Sequence, residues 1–121
     1  MREIKIRYFF KDSDDKLHIL TEDIKEIEFH TDIPDNIKHG WELVARTEYT
    51  GLKDSKVREI YEGDIYKQEW KGKPVTGEIV YSDTAAFCLK PYEHYYIDVI
   101  RITGEVIGNI YENPELVKRT K

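Results

Sequence analysis

Four histidines, one cysteine and one knot of carboxylates hold most of the chemical potential of this chain. The histidines are His18, His30, His39 and His94. None forms an HxH or HxxxH pair, and none neighbours Cys88 in sequence. His30 and Asp32 lie two apart and would share a strand face, which is half a metal site, since real sites converge three or four ligands. No metal and no cofactor is therefore expected. Cys88 sits in the apolar run Ala85-Ala86-Phe87-Cys88-Leu89, where a thiol behaves as a small buried hydrophobe of low reactivity. Ser13, Ser55 and Ser82 lack the glycine pattern of a nucleophile elbow. Glu59, Glu62 and Asp64 crowd one turn. An acid/base pair needs a cleft that separates two pKa values. The residue types here read first as turn chemistry, with Gly63 supplying an unusual φ and Asp64 accepting backbone N–H bonds. Gly104 and Gly108 stand four apart without the strand-to-helix setting of a phosphate cradle. No catalytic constellation is visible, so the chain is not expected to be an enzyme.

Aromatic rings are the other resource. Tyr66, Trp70, Tyr81, Tyr92, Tyr95 and Tyr96 fall in the C-terminal half, among Lys67, Lys71, Lys73, Lys90 and Arg101. Exposed rings flanked by cations stack nucleic-acid bases and hold phosphates. The expected binding face is Tyr66, Lys67, Trp70, Tyr92, Tyr95 and Arg101. Tyr and Trp also pack on sheet surfaces and are enriched in subunit interfaces, so homo-oligomerisation competes with nucleic acid for the same residues.

Charge sharpens that choice. The 121 residues include 19 Lys or Arg and 24 Asp or Glu, a formal net charge of −5. Residues 11–35 hold nine of the acids and three of the bases, so this segment carries −6 and the rest of the chain +1. The acidic segment reads as a solvated face, as a docking surface for a basic partner or as a cation site. The remainder can still present a basic face. A single cysteine excludes an internal disulfide. No apolar run approaches the roughly 18 residues of a membrane span, and Met1-Arg2-Glu3-Ile4-Lys5-Ile6 alternates too strictly for a signal peptide.

The elements that would position these residues are short strands. Residues 3–10 alternate, with Ile4, Ile6, Tyr8 and Phe10 on one face. A polar turn at 11–15 leads to a returning strand at 16–20. Residues 24–30 alternate imperfectly, with a short helix from Thr21 as the competitor, and residues 35–39 could make one helical turn. Trp41–Tyr49 reads as a strand, Gly51 as a bend and 53–56 as a turn. Strands follow at 64–70, 75–82, 85–90 and 94–103, with a last strand or bend at 105–110. Gly77 marks a bulge or bend within its strand. Asn113-Pro114 caps a closing helical turn. Short strands separated by turns point to an all-β sheet or small barrel.

The stretch Tyr49-Thr50-Gly51-Leu52-Lys53-Asp54, followed by Glu59-Ile60-Tyr61-Glu62-Gly63-Asp64-Ile65, resembles the YopX-like family of small phage and prophage proteins. The run Glu105-Val106-Ile107-Gly108-Asn109-Ile110-Tyr111-Glu112-Asn113-Pro114-Glu115-Leu116 resembles its closing motif, and Arg2–Arg7 its opening. The motif positions are Tyr49, Gly51, Leu52, Asp54, Tyr61, Gly63, Asp64, Gly108, Asn109, Tyr111, Asn113 and Pro114. Family members often carry an Asn-Gly turn where this chain has Ser55-Lys56-Val57-Arg58. Val57 resists φ > 0, so a type I′ turn is not expected there. The resemblance implies a phage or prophage origin, a cytoplasmic place in a bacterial host and a tendency to oligomerise. It implies no catalytic residues.

The chain is thus expected to be mainly β. An N-terminal β subdomain (1–48), a linking motif (49–63) and a small SH3-like barrel with a C-terminal tail (64–121) would follow one another, with a short C-terminal helical turn. The expected role is a non-enzymatic, homo-oligomeric binding or structural module. The alternative is a nucleic-acid-binding module. A carboxylate-dependent hydrolase built on Glu59, Glu62 or Asp64 with a histidine is a third reading.

Overall fold

The computed structural model describes residues 4–23, 40–82, 85–92, 97 and 99–117. The strands are β1 (Lys5–Lys11), β2 (Leu17–Asp23), β3 (Glu42–Lys53), β4 (Glu59–Tyr61), β5 (Asp64–Trp70), β6 (Lys73–Tyr81), β7 (Phe87–Pro91) and β8 (Glu105–Asn109). One short helix, α1 (Pro114–Val117), follows. The strands form two four-stranded sheets, ordered β2-β1-β3-β4 and β7-β6-β5-β8. The mainly β expectation holds. The chain divides into two compact units, Met1–Tyr49 and Thr50–Lys121. The alternation over 24–30, the turn over 35–39, His30, His39, His94, Tyr95 and the basic tail lie outside the described residues.

In the first unit β1 and β2 pair antiparallel from Lys5↔Asp23 to Lys11↔Leu17. β1 also pairs with β3, with a register shift between Phe9 and Phe10. Alternation alone would bury Phe10 and expose Phe9, yet both rings are buried. Both faces are covered only at Phe9 and Phe10, where the register shifts, while residues 5–8 are half-buried as expected.

Three tight hairpin loops share one hydrogen-bond pattern. Asp12 N donates to Lys16 O and Asp15 N to Asp12 O. Asp54 N donates to Arg58 O and Val57 N to Asp54 O. Ser82 N donates to Ala86 O and Ala85 N to Ser82 O. In each, the fourth residue has left-handed φ: 66° at Asp15, 64° at Val57 and 61° at Ala85. This is the three-residue loop with a left-handed bulge residue, a position that glycine usually fills. None of the three has glycine there.

In the second unit β5 follows the expected 64–70 strand. Lys71 and Gly72, with φ of 54° and 81°, form a two-residue hairpin loop of the primed type. Ile60, Tyr66, Val75, Ile79, Leu89 and Ile97 build the core, with Trp70, Ile100 and Val106 packed against it. Gly77 is not a bulge. It pairs in register with Tyr66 and Pro91, and a Cβ there would lie 2.3 Å from Lys90 O. Close backbone approach is what demands glycine.

The expected strand over 94–103 is not formed across its described part. Ile97 makes a single bridge to Leu89. Residues 99–103 cross as a loop instead, because side chains of β5 take their backbone groups. Gln68 Nε2 donates to Val99 O at 3.0 Å, Arg101 N donates to Gln68 Oε1 at 2.9 Å, and Tyr66 OH donates to Arg101 O at 2.7 Å. Without that strand, β7 and β8 remain the edges of an open sheet. Among the described residues no closed barrel forms.

Candidate functional site

The carboxylate of Asp54 is fully buried and accepts four hydrogen bonds among the described residues. Its Oδ1 accepts from Lys56 N and Arg58 N, both at 2.9 Å. Its Oδ2 accepts from Val106 N at 2.9 Å and Arg58 Nε at 3.2 Å. Burial opposes the charge. The Val106, Arg58 and Lys56 amides, with the Arg58 guanidinium, outweigh it and hold the carboxyl below its usual range. Ser55 N donates to Gly104 O at 3.0 Å. Lys56 and Arg58 both reach Glu105, at 2.9 and 3.3 Å, and the Lys56 hydrogen bond keeps the Glu105 carboxyl low. Loop 54–58 and residues 104–106 are therefore tied together, and Tyr66 and Gln68 pin loop 99–104 from beneath. Burial, with the nearby Asp54 charge, pushes the Tyr66 phenol up to about 12, so it remains a hydrogen-bond donor at all physiological pH.

Most of the other motif residues also face inward or serve turns, whereas Leu52 is exposed on β3. Tyr49 is buried, with the Lys5 ammonium 5.7 Å from its ring centroid. Gly51 takes φ 90° within β3, and Leu52 N donates to Thr50 Oγ1. Asp64 is buried and accepts from Tyr61 N at 2.8 Å. Tyr61 OH donates to Glu59 at 3.0 Å. Gly63, with φ 88°, donates to Ile79 O and accepts from Ile110 N. Asp64 pairs with Asn109 and Ile65 with Gly108. Asn109 Oδ1 accepts from Tyr111 N and Glu112 N, while its Nδ2 donates to Glu112. Asn113 Oδ1 accepts from Asn109 N. Asn113 O accepts from Leu116 N, with Pro114 opening α1. Gly108 leaves room for Asn113, since a Cβ would lie 2.5 Å from its Oδ1. The middle and closing motifs thus meet along β5 and β8.

A family model described as YopX protein matches residues 1–118. The chain belongs to the YopX family. A crystal structure of protein EF1440 from Enterococcus faecalis is 25% identical, with 91% of this chain and 74% of that chain covered and a TM-score of 0.45. No curated protein matches. In this YopX-family chain two motif side chains, Asp54 and Asn113, take amides of the edge strand β8. Side-chain acceptors on an edge block further strand pairing.

The expected aromatic face is not brought together. Tyr66 is fully buried in the core. Alternation along β5 puts Trp70 on the Tyr66 face and Lys67 on the opposite one. Tyr92 extends β7 in phase with Lys90, whose partner Glu78 pairs across from Ile65, so it too lies away from Trp70. Its hydroxyl is buried with no hydrogen-bond partner among the described residues, and burial pushes it up to about 12. Arg101 does reach Trp70, with its guanidinium carbon 5.3 Å from the ring centroid. Among the described residues no three His, Cys, Asp or Glu side chains converge as a metal site.

Sequence reasoning missed the exposed residues of the tied loops. Val57 is 72% exposed, Ile102 57% and Val99 50%. Val57 combines that exposure with φ 64°, a conformation costing a non-glycine residue roughly 1–2 kcal/mol. Val57→Gly is therefore expected to raise stability by about 0.5–1 kcal/mol, after allowing for the extra entropy of glycine in the unfolded chain. The urea midpoint reads this, and an unchanged or lower midpoint contradicts it.

Proposed function

We propose that this chain is a non-enzymatic accessory module of phage or prophage origin. It works in the bacterial cytoplasm as a homo-oligomer held through loops 54–58 and 99–104. The supporting observation is that Val57, Ile102 and Val99, the aliphatic side chains most exposed among those described, all lie on these two loops. The loops are tied by Asp54 and Ser55 and pinned by Tyr66 and Gln68. A pre-ordered backbone carrying exposed apolar side chains loses little entropy on association. Backbone strain at an exposed residue, as at Val57, is also typical of working surfaces. The motif residues favour the scaffold role, since Asp54, Asp64, Asn109 and Asn113 all bond within the unit. Light scattering at micromolar concentration tests the reading. The wild-type chain is expected to be an oligomer and Ile102→Lys a folded monomer. A wild-type monomer defeats the proposal.

A further inference from the structure

We infer that the tip of the β5–β6 hairpin, together with Arg101, is a binding site for single-stranded nucleic acid. Trp70 is partly buried at the end of β5, and the Arg101 guanidinium lies over its ring. Lys73 is the direct partner of Trp70 on β6 and shares its face. Lys71 occupies the turn between them. Among the described residues none of these three cations pairs with a carboxylate, whereas Lys56 and Arg58 on the neighbouring loop both meet Glu105. Glu69, the acid of the hairpin nearest its turn, alternates to the opposite face. Two lysines beside a ring–guanidinium stack, with no carboxylate partner among the described residues, stand out in a chain of net charge −5.

A ligand that fits must bring negative charge at several points and a flat π surface. Single-stranded nucleic acid brings both. A duplex keeps its bases stacked away from such a platform, and an acidic peptide lacks the flat surface. The platform is fixed before the ligand arrives, because Arg101 N and O are bonded to Gln68 and Tyr66 at 2.9 and 2.7 Å. Arg101 lies on the same loop as Val99 and Ile102, but the site uses neither of those apolar side chains and does not depend on oligomerisation.

The test uses the full chain carrying Trp41→Phe, so that Trp70 is its only tryptophan. Titration with an oligothymidylate of about 12 nucleotides is expected to quench Trp70 fluorescence. Affinity should fall with salt, with a log–log slope of about −2 for three phosphate contacts. Arg101→Glu and Lys73→Glu, each checked for an unchanged far-ultraviolet dichroism spectrum, should weaken binding about tenfold or more. Lack of quenching at low salt overturns the inference. So does equal binding of an abasic oligonucleotide of the same length, which reports charge alone, or unchanged affinity in both variants.

Discussion

Asp54→Ala is expected to lower the unfolding free energy by about 3–5 kcal/mol. Three backbone amides, Lys56 N, Arg58 N and Val106 N, donate to this carboxylate. The substitution leaves them unpaired in a partly buried site, each at a cost of roughly 1–3 kcal/mol. The Arg58 ion pair adds little, because that side chain is half exposed and the charge is screened. Asp54→Asn should be milder, since one oxygen survives while an NH2 group replaces the other acceptor. The pH dependence follows from the lowered pKa. A carboxyl held below its unfolded value of about 3.9 stabilises the fold fully above that pH and progressively less as pH falls through the folded value. The gap between wild type and Asp54→Ala, read from urea midpoints, should therefore be constant near neutrality and close below about pH 4. A gap that persists in acid would show that lost packing, not the carboxylate, carries the effect.

The partners of Asp54 differ from those of its counterpart Asp12. Asp12 caps the 12–16 loop in the same way, accepting from Asp14 N and Lys16 N at 2.8 and 2.9 Å. Its second oxygen meets His18 Nε2 at 2.8 Å, not a strand amide, and His18 stacks on Trp41 with centroids 4.0 Å apart. The aspartate-capped form of the shared loop pattern thus serves two different purposes. In the first unit it seats a histidine, and in the second it fastens the edge strand β8.

Much of the strand pattern was legible because period-two alternation and turn residues are local signals. DIYKQEW and the Asn113-Pro114 helix start are found where the residues place them. What was not legible depends on distant partners. HYYIDVIRIT has strand composition, but Gln68 and Tyr66 withdraw the backbone of residues 99–101 from any ladder. Alternation placed Tyr66 opposite Ile65 but could not choose the buried face, since both are fully buried. Val57 was expected to avoid positive φ. The Asp54 carboxylate and the Asp54–Arg58 backbone bond impose that conformation on it. The motif positions were visible as a set through family resemblance. Their roles were not, because those roles lie in hydrogen bonds spanning up to 52 residues, as between Asp54 and Val106.

Gly104→Ala is expected to destabilise the fold by about 3 kcal/mol, the upper end of ordinary overpacking, and to lift Arg101 from Trp70. A Cβ at Gly104 would lie 2.5 Å from Lys67 O, 2.7 Å from Tyr66 Cε2 and 3.0 Å from Gln68 Cβ. None of these can yield cheaply. Lys67 sits in the ladder between β6 and β8, Tyr66 is locked in the core, and Gln68 holds the same loop through two bonds. The loop must therefore move away from β5, taking with it the Ser55 N bond to Gly104 O. Gly72→Ala provides the contrast. Gly72 has φ +81° with nothing within 4 Å of its Cβ, so its loss should be only the roughly 1–2 kcal/mol of a left-handed residue. Urea midpoints read both losses, and Trp70 fluorescence in the Trp41→Phe background reads the displacement of Arg101. A Gly104→Ala protein with wild-type fluorescence and a loss no larger than that of Gly72→Ala would mean that the loop is not held down by β5. The rigidity assigned to the apolar contact and to the Trp70–Arg101 platform would then have no structural basis.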